Sequence, residues 1–340
     1  MAFTPEQFSV LQWVARVSAS LSVLGVLSIY VFFILNPKAA RNPTARLIIF
    51  MATSDLLSAS AKFLGRWPVE QGEDNALCQA QAALMQEGDL SSLTWTAILA
   101  SNLLLVVFFR GRTDTIRKNE LPLALFAYGW PLIFSLGPLF IKGPRGKIYG
   151  DSTLWCWITS EYHEYEIGFF YAFLWAVFLF NLISYILVGR VIWTASKDLE
   201  QRGSTDNTLS RYRVAFARTA LAYMTAFIIV WTPSNLNRFY NMSVGTPLFP
   251  LSLAQTLMSP MRGFVNFLAY FWIYRMQLAG KASLQSSNER SAGGGFRSRS
   301  GRTHPDTYVM MDRDRCQPPP GSNEMSTGQV AVTEHSEMRS

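Results

Sequence analysis

The chain is short of charge. Only 16% of its 340 residues are Asp, Glu, Lys or Arg, against about 25% in ordinary soluble domains. Disorder throughout is excluded, because it needs low hydrophobicity, and 49% of this chain is hydrophobic. Histidine is scarcer still, three in all, and His304 and His335 stand near the C-terminus. No metal cluster can be assembled from them, and no cofactor is expected. The chain also lacks a glycine-rich phosphate loop, a His-Glu-x-x-His pair and a nucleophile elbow. Each absence argues against an enzyme. The formal net charge of +7 sits among 24 Phe and ten Trp, too greasy a background for a nucleic-acid reading surface.

What the chain has instead is long apolar blocks. A bilayer core needs roughly 20 apolar residues in a helix. Seven such blocks occur: Leu11–Leu35, Leu47–Val69, Cys78–Phe109, Leu121–Ile141, Ile167–Trp193, Val214–Phe239 and Leu248–Ile273. The second and third carry Asp55, Lys62, Arg66, Glu87 and Asp89, yet their inner halves are strongly apolar. The expected fold is an all-α bundle of seven transmembrane helices. Residues 1–10 form an N-terminal segment, 11–274 the bundle, 275–285 a short amphipathic helix beside the membrane, and 286–340 a disordered tail.

Basic residues in the short connections set the orientation. Lys38, Arg41 and Arg46 follow the first block, Arg110, Arg112, Arg117 and Lys118 the third, and Lys197, Arg202, Arg211 and Arg213 the fifth. The alternate connections carry few bases or balance them with acids. The N-terminus is therefore expected outside and the C-terminus inside, in a multi-pass protein of the plasma membrane. No cleavable signal peptide is evident. Cys78 and Cys156 then lie on the oxidising side, where a disulfide is allowed; two free thiols are the alternative. Cys316 lies in the tail. Asn241-Met242-Ser243 is a glycosylation sequon close to the membrane, whereas Asn42-Pro43-Thr44 is excluded by its Pro.

Ionisable groups inside a membrane are costly and default to functional candidates. Asp55, Asn102, Arg262 and Asn266 fall at comparable depths and are expected to form one polar layer, either a helix glue or a two-state switch. Asp55, Ala59, Lys62 and Arg66 follow helical spacing on one face. With Glu87 and Asp89 from the third block, Lys62 and Arg66 would line a polar pocket for a small hydrophilic or anionic ligand; structural ion pairs with snorkelling bases are the alternative. Trp231-Thr232-Pro233 places a kink beside a bulky ring in the sixth block.

Seven spans, Asp55, Cys78 and Trp231-Thr232-Pro233 resemble a G-protein-coupled receptor. Leu154-Trp155-Cys156-Trp157-Ile158, the stretch from Trp231 through Asn237-Arg238, and Ser259-Pro260-Met261-Arg262-Gly263-Phe264-Val265-Asn266 with Tyr270 are similar to the slime-mould cyclic-AMP receptor family and its fungal, sugar-sensing relatives. The resemblance covers about residues 10–285. It implies a receptor for a small extracellular ligand that is cAMP-, sugar- or nutrient-like, held by Lys62, Arg66, Glu87, Asp89 and Arg238. It implies a switch built on Asp55, Asn102, Trp231, Pro233, Arg262, Asn266 and Tyr270. The implied partners are a heterotrimeric G protein facing Arg110, Arg112, Arg211 and Arg213, and a kinase and arrestin-like proteins at a tail phosphorylated on Ser283, Ser286, Ser287, Ser291 or Ser298.

The departures from rhodopsin-like receptors are specific. Phe108-Phe109-Arg110-Gly111-Arg112 lacks the acid–Arg–aromatic triplet, and no Asn-Pro pair precedes Tyr270. Arg262 is expected to act as a fixed cation beside Asp55, so that sodium has little effect on stability. A transporter of a small polar solute is the alternative function, but inverted repeats are not evident.

Overall fold

A computed structural model describes residues 3–40, 43–108, 118–144, 146–202 and 208–275. These are mostly helical. The long helices are α1 (Pro5–Leu35), α2 (Pro43–Phe63), α3 (Ala76–Phe108), α4 (Glu120–Phe140), α5 (Ala172–Arg202), α6 (Thr208–Val244) and α7 (Phe249–Met258). A further helix, α8, runs over 262–275. A π-helical turn, Ile167–Tyr171, leads into α5.

Local chemistry sets the helix ends. Thr4 caps α1 in a capping box: the Gln7 N–H donates to Thr4 Oγ1 at 3.3 Å, and the Thr4 N–H donates to Gln7 Oε1 at 3.0 Å. Pro5 follows at the first helical position. At the other end the Asn36 side chain donates to the Phe32 carbonyl at 3.0 Å, and Pro37 cannot continue the ladder.

Among the described residues, three helical segments are long and apolar enough to cross a membrane: Pro5–Leu35, Glu120–Phe140 and Ser160–Val191. α2 and α3 are long too, but they carry Asp55, Lys62, Glu87 and Asp89, all buried. The bundle has the polarity expected of a chain whose solvent is lipid. Large apolar side chains such as Leu121, Ile133 and Phe140 stand exposed, while Ser, Thr, Asn and ionisable side chains are buried in the interior.

Small residues bring the helices close. A Cβ on Gly88 of α3 would lie 2.6 Å from the Ser58 backbone nitrogen and 2.8 Å from the Ser54 carbonyl oxygen of α2. Gly25 of α1 meets α8 backbone at Phe264 in the same way. The Gly263 N–H donates to Ser22 Oγ at 2.9 Å. Interhelical hydrogen bonds and close backbone approach are the forces that remain when lipid replaces water.

Two expected spans are interrupted. Leu47–Val69 is not continuous: α2 ends at Phe63, and Gly65 takes φ +59°, a conformation open to glycine. A single helical turn, Trp67–Glu70, follows. Leu248–Ile273 breaks at 259–261, where Pro260 separates α7 from α8.

Two small hairpins cover one end of the bundle. β1 (Lys142–Gly143) pairs antiparallel with β2 (Gly146–Lys147), and β3 (Tyr149–Asp151) with β4 (Cys156–Ile158), Asp151 opposite Cys156. The Cys78–Cys156 disulfide, with Cα atoms 5.3 Å apart, ties β4 to the start of α3.

Candidate functional site

At the centre lies a buried ion cluster drawn from α2, α3 and α8. Asp89 is its hub. Lys62 Nζ donates to both Asp89 carboxylate oxygens, at 3.0 and 2.9 Å, and to Ser259 Oγ at 2.9 Å. Ser58 Oγ and an Arg262 Nη also donate to Asp89. Asp55 accepts from Ser92 Oγ at 2.8 Å and from Asn266 Nδ2 at 2.7 Å, and the Arg262 Nε stands 3.4 Å away. Two bases face two acids, so the cluster is neutral as a unit. Neutrality is what makes it tolerable, because an unpaired charge in a low-dielectric interior costs several kcal/mol.

Helix geometry explains the partners. Ser58 and Lys62 are four residues apart on α2 and share a face. The break at 259–261 ends α7 at the level of Lys62, which frees Ser259 to accept from it. Arg262 opens α8 and reaches back to both acids. Its guanidinium also lies 5.0 Å from the centroid of the Trp231 ring on α6, a cation–π contact. Arg262 Nε and Nη1 have no hydrogen-bond partner. Arg262, Trp231, Ser92, Thr96 and Asn266 line a cavity of about 20 Å³, room for one water molecule.

Several expected site residues sit elsewhere. Arg66 lies beyond the end of α2, so the helical spacing that aligned it with Asp55 does not apply. It forms a two-pronged pair with Asp151 at 3.1 and 2.7 Å and donates to the Thr153 carbonyl. Lys62 does not snorkel; it is 1% exposed. Glu87 does not meet the bases. Two residues before Asp89, it points away across α3 and accepts from Ser135 Oγ of α4 at 3.1 Å. Asn102 is not in the polar layer. It lies ten residues past Ser92, roughly 15 Å along the helix, and its Nδ2 has no partner. Tyr270 packs against Phe32 and Phe33 of α1, ring centroids 5.3 and 5.2 Å apart. Arg238 pairs with Glu166 and lies over the Tyr171 ring at 4.9 Å.

The loop end is held by residues that sequence reasoning passed over. Gln81 Nε2 donates to the Ala61 and Gly65 carbonyls at 3.0 and 2.9 Å, and its Oε1 accepts from the Cys156 N–H at 2.8 Å. Gln86 accepts from Trp157 Nε1 at 2.7 Å. Glu166, just before the π-helical turn, is 2% exposed. His163 Nδ1 stands 3.0 Å from Glu166 and 3.2 Å from an Arg238 Nη. The Asn241 sequon lies within α6, and the Asn241 Oδ1 is buried, a poor setting for a glycan. Arg211 and Arg213 fall within α6. Arg110, Arg112, residues 276–285, the tail serines and Cys316 lie outside the described residues.

The family described as slime mold cyclic AMP receptor matches residues 5–281. Cyclic AMP receptor-like protein A of Dictyostelium discoideum is 27% identical over 271 residues, 79% of this chain and 66% of that protein. G-protein coupled receptor 157 of Homo sapiens is 26% identical over 203 residues, 59% of this chain and 57% of its own. Cyclic AMP receptor 2 of Dictyostelium discoideum is 25% identical over 244 residues, 69% of this chain and 60% of its own. The chain therefore spans less than two thirds of the length of each of these relatives.

Proposed function

Because the chain belongs to the slime mold cyclic AMP receptor family, we infer that it is a cell-surface G-protein-coupled receptor of seven spans, N-terminus outside. It senses a small extracellular ligand and activates a heterotrimeric G protein. The observation that carries this reading is the ion cluster beneath the disulfide-tied loop, in a chain matched by the family from residue 5 to 281. Asp55, Lys62, Asp89 and Arg262 link α2, α3 and α8, and Trp231 of α6 lies over Arg262. Pro233, two residues along α6, removes one backbone hydrogen bond. A tilt of α6 there would slide the Trp231 ring off the guanidinium, and Arg262 would redistribute between Asp55 and Asp89. That is a packing change with two discrete arrangements, the kind of element a ligand can bias. Arg110, Arg112, Arg211 and Arg213 would face the G protein, and the tail serines would take a kinase and arrestin-like partners.

The test is guanine-nucleotide exchange on a reconstituted heterotrimer, with the full chain in lipid nanodiscs and a panel of small metabolites. Ligand-dependent exchange that disappears in Trp231→Ala supports the reading; no exchange under any condition overturns it. The break between α7 and α8 favours one second reading, a transporter, because discontinuous helices line transporter sites. Solute flux into sealed liposomes without nucleotide exchange would select it.

A further inference from the structure

One base at the disulfide end of the bundle has no acid. Arg16, on α1, is half-buried, and among the described residues it makes no ion pair and no side-chain hydrogen bond. Its guanidinium lies 5.9 Å from the centroid of the Trp13 ring, one turn earlier on the same face of the helix. It also reaches the break that ends α2: a Cβ on Gly65 would meet Arg16 Nε at 3.7 Å and Nη2 at 3.9 Å. The other buried or half-buried bases described at this end are committed. Lys62 and Arg262 pair with Asp89, Arg66 with Asp151, Lys147 with Asp74 and Arg238 with Glu166. Glu6, the one acid that precedes Arg16 on α1, is ten residues away, roughly 15 Å along the helix.

Helix length sets the depth of this base. Arg46, paired with Glu120 at the opposite end of the bundle, is 17 residues from Phe63, roughly 26 Å along α2. The hydrocarbon core of a bilayer is about 30 Å thick. Gly65 lies just past Phe63, so the guanidinium beside it stands at the level of one leaflet's phosphates. Aromatic side chains mark the same level. Trp13 is 63% exposed, and Phe63 and Trp67, on either side of Gly65, are 46% and 48% exposed. Exposed Trp at one level is characteristic of a membrane–water interface. Toward the middle of α1, Val17, Leu24 and Val31 stand exposed at steps of seven, an apolar flank on one side of the helix.

These features specify a partner. A cation beside lipid is costly without a counter-charge, and a guanidinium presents a planar fork of donors that matches phosphate. A phospholipid answers both the charge and the apolar flank, because its phosphate and its chains are joined. We propose that Arg16, with Trp13 and the Gly65 turn, holds the phosphate of a membrane phospholipid whose chains lie along the Val17–Leu24–Val31 flank of α1. The inference rests on the receptor reading for the place of the bundle in a bilayer. The site also touches the segment that carries the ion cluster: the Gly65 N–H donates to the Lys62 carbonyl at 3.0 Å, and the Gly65 carbonyl accepts from Gln81 Nε2. A lipid held there clamps α1 against the end of α2.

The test reads binding without a G protein: the thermal transition of the purified full chain in micelles of an uncharged maltoside detergent. Phosphatidylglycerol is added at rising mole fraction. Diacylglycerol with the same chains, and inorganic phosphate, are the two other arms. Phosphatidylglycerol is expected to raise the transition, and the other two to leave it unmoved. Arg16→Gln removes no ion pair within the protein, so the lipid-free transition should stay in place while the half-maximal mole fraction of phosphatidylglycerol rises about tenfold. Trp13→Leu, at an exposed position, should weaken the response in the same direction, and Lys142→Gln, an exposed base of the first hairpin, should not. An equal response in Arg16→Gln and the wild type, equal stabilisation by diacylglycerol, or stabilisation by inorganic phosphate alone overturns the proposal. A lost lipid response with nucleotide exchange intact would sink this inference and leave the receptor reading standing. Lipid binding at Arg16 without nucleotide exchange would do the reverse.

Discussion

Asp89→Asn is the most direct test of the buried cluster. Asp89 accepts from Ser58, Lys62 and Arg262. The substitution keeps the volume and removes one charge. Lys62 and Arg262 then face Asp55 alone, and the cluster changes from neutral to one net positive charge. Breaking a buried pair by removing one partner costs about 3–5 kcal/mol, because the orphaned charge stays desolvated. At roughly 2–4 °C per kcal/mol, the figure for domains of about 150–250 residues, the thermal transition should fall by roughly 10 °C. The assay is intrinsic tryptophan fluorescence of the full chain in detergent micelles. A surface pair is the control: Asp74 meets Lys147 at 3.0 Å but is 89% exposed, and such a pair contributes about 0–1 kcal/mol. Adding Lys62→Met to Asp89→Asn restores neutrality, so the double variant should be less destabilised than the sum of the singles by about 0.5–3 kcal/mol. If Asp89→Asn lowers the transition no more than Asp74→Asn does, the cluster is not held as argued.

Two further outcomes follow from the packing and the loop end. Gly88→Ala places a methyl group against α2 backbone and should cost about 1–3 kcal/mol; Gly189→Ala, with nothing within 4 Å of its Cβ, should be neutral or slightly stabilising on the same denaturation curve. Replacing Cys78 and Cys156 together by Ser opens a link of 78 residues. Loop entropy puts the loss at about 4 kcal/mol, and reduction of the wild-type protein should reproduce it.

Much was readable from spacing. Among the described residues each long helix falls on an apolar block, although two blocks are interrupted, because local hydrophobicity and 3.6-residue periodicity need no knowledge of neighbours. Asp55, Lys62, Asp89 and Arg262 were singled out by their cost inside apolar segments, and the cysteines by topology. The readings that failed did so where a helix stopped or a side chain turned. Arg66 was aligned with Lys62 on the assumption of an unbroken helix, which Gly65 ends. Glu87 and Asp89 share the outer half of the third block, but residues two apart on a helix point in different directions. Asn102 stands ten residues past Ser92, nearly three helical turns, too far for one polar layer with Asp55. Gln81 and Glu166 carried no signal, since a lone Gln or an acid in a link is ordinary until its partner is known.

By itself the sequence determined a helical chain with membrane-length apolar blocks, a short list of costly buried charges and membership of a receptor family. Those properties are written in local composition and in ordered motifs. Only the tertiary structure decided which charges neutralise which. It joined Lys62 and Arg262 to Asp89, and sent Arg66 to Asp151 and Glu87 to Ser135. The reason is physical: ion pairing depends on where helices end and which backbones approach within contact distance, and both are set across the bundle rather than along the chain.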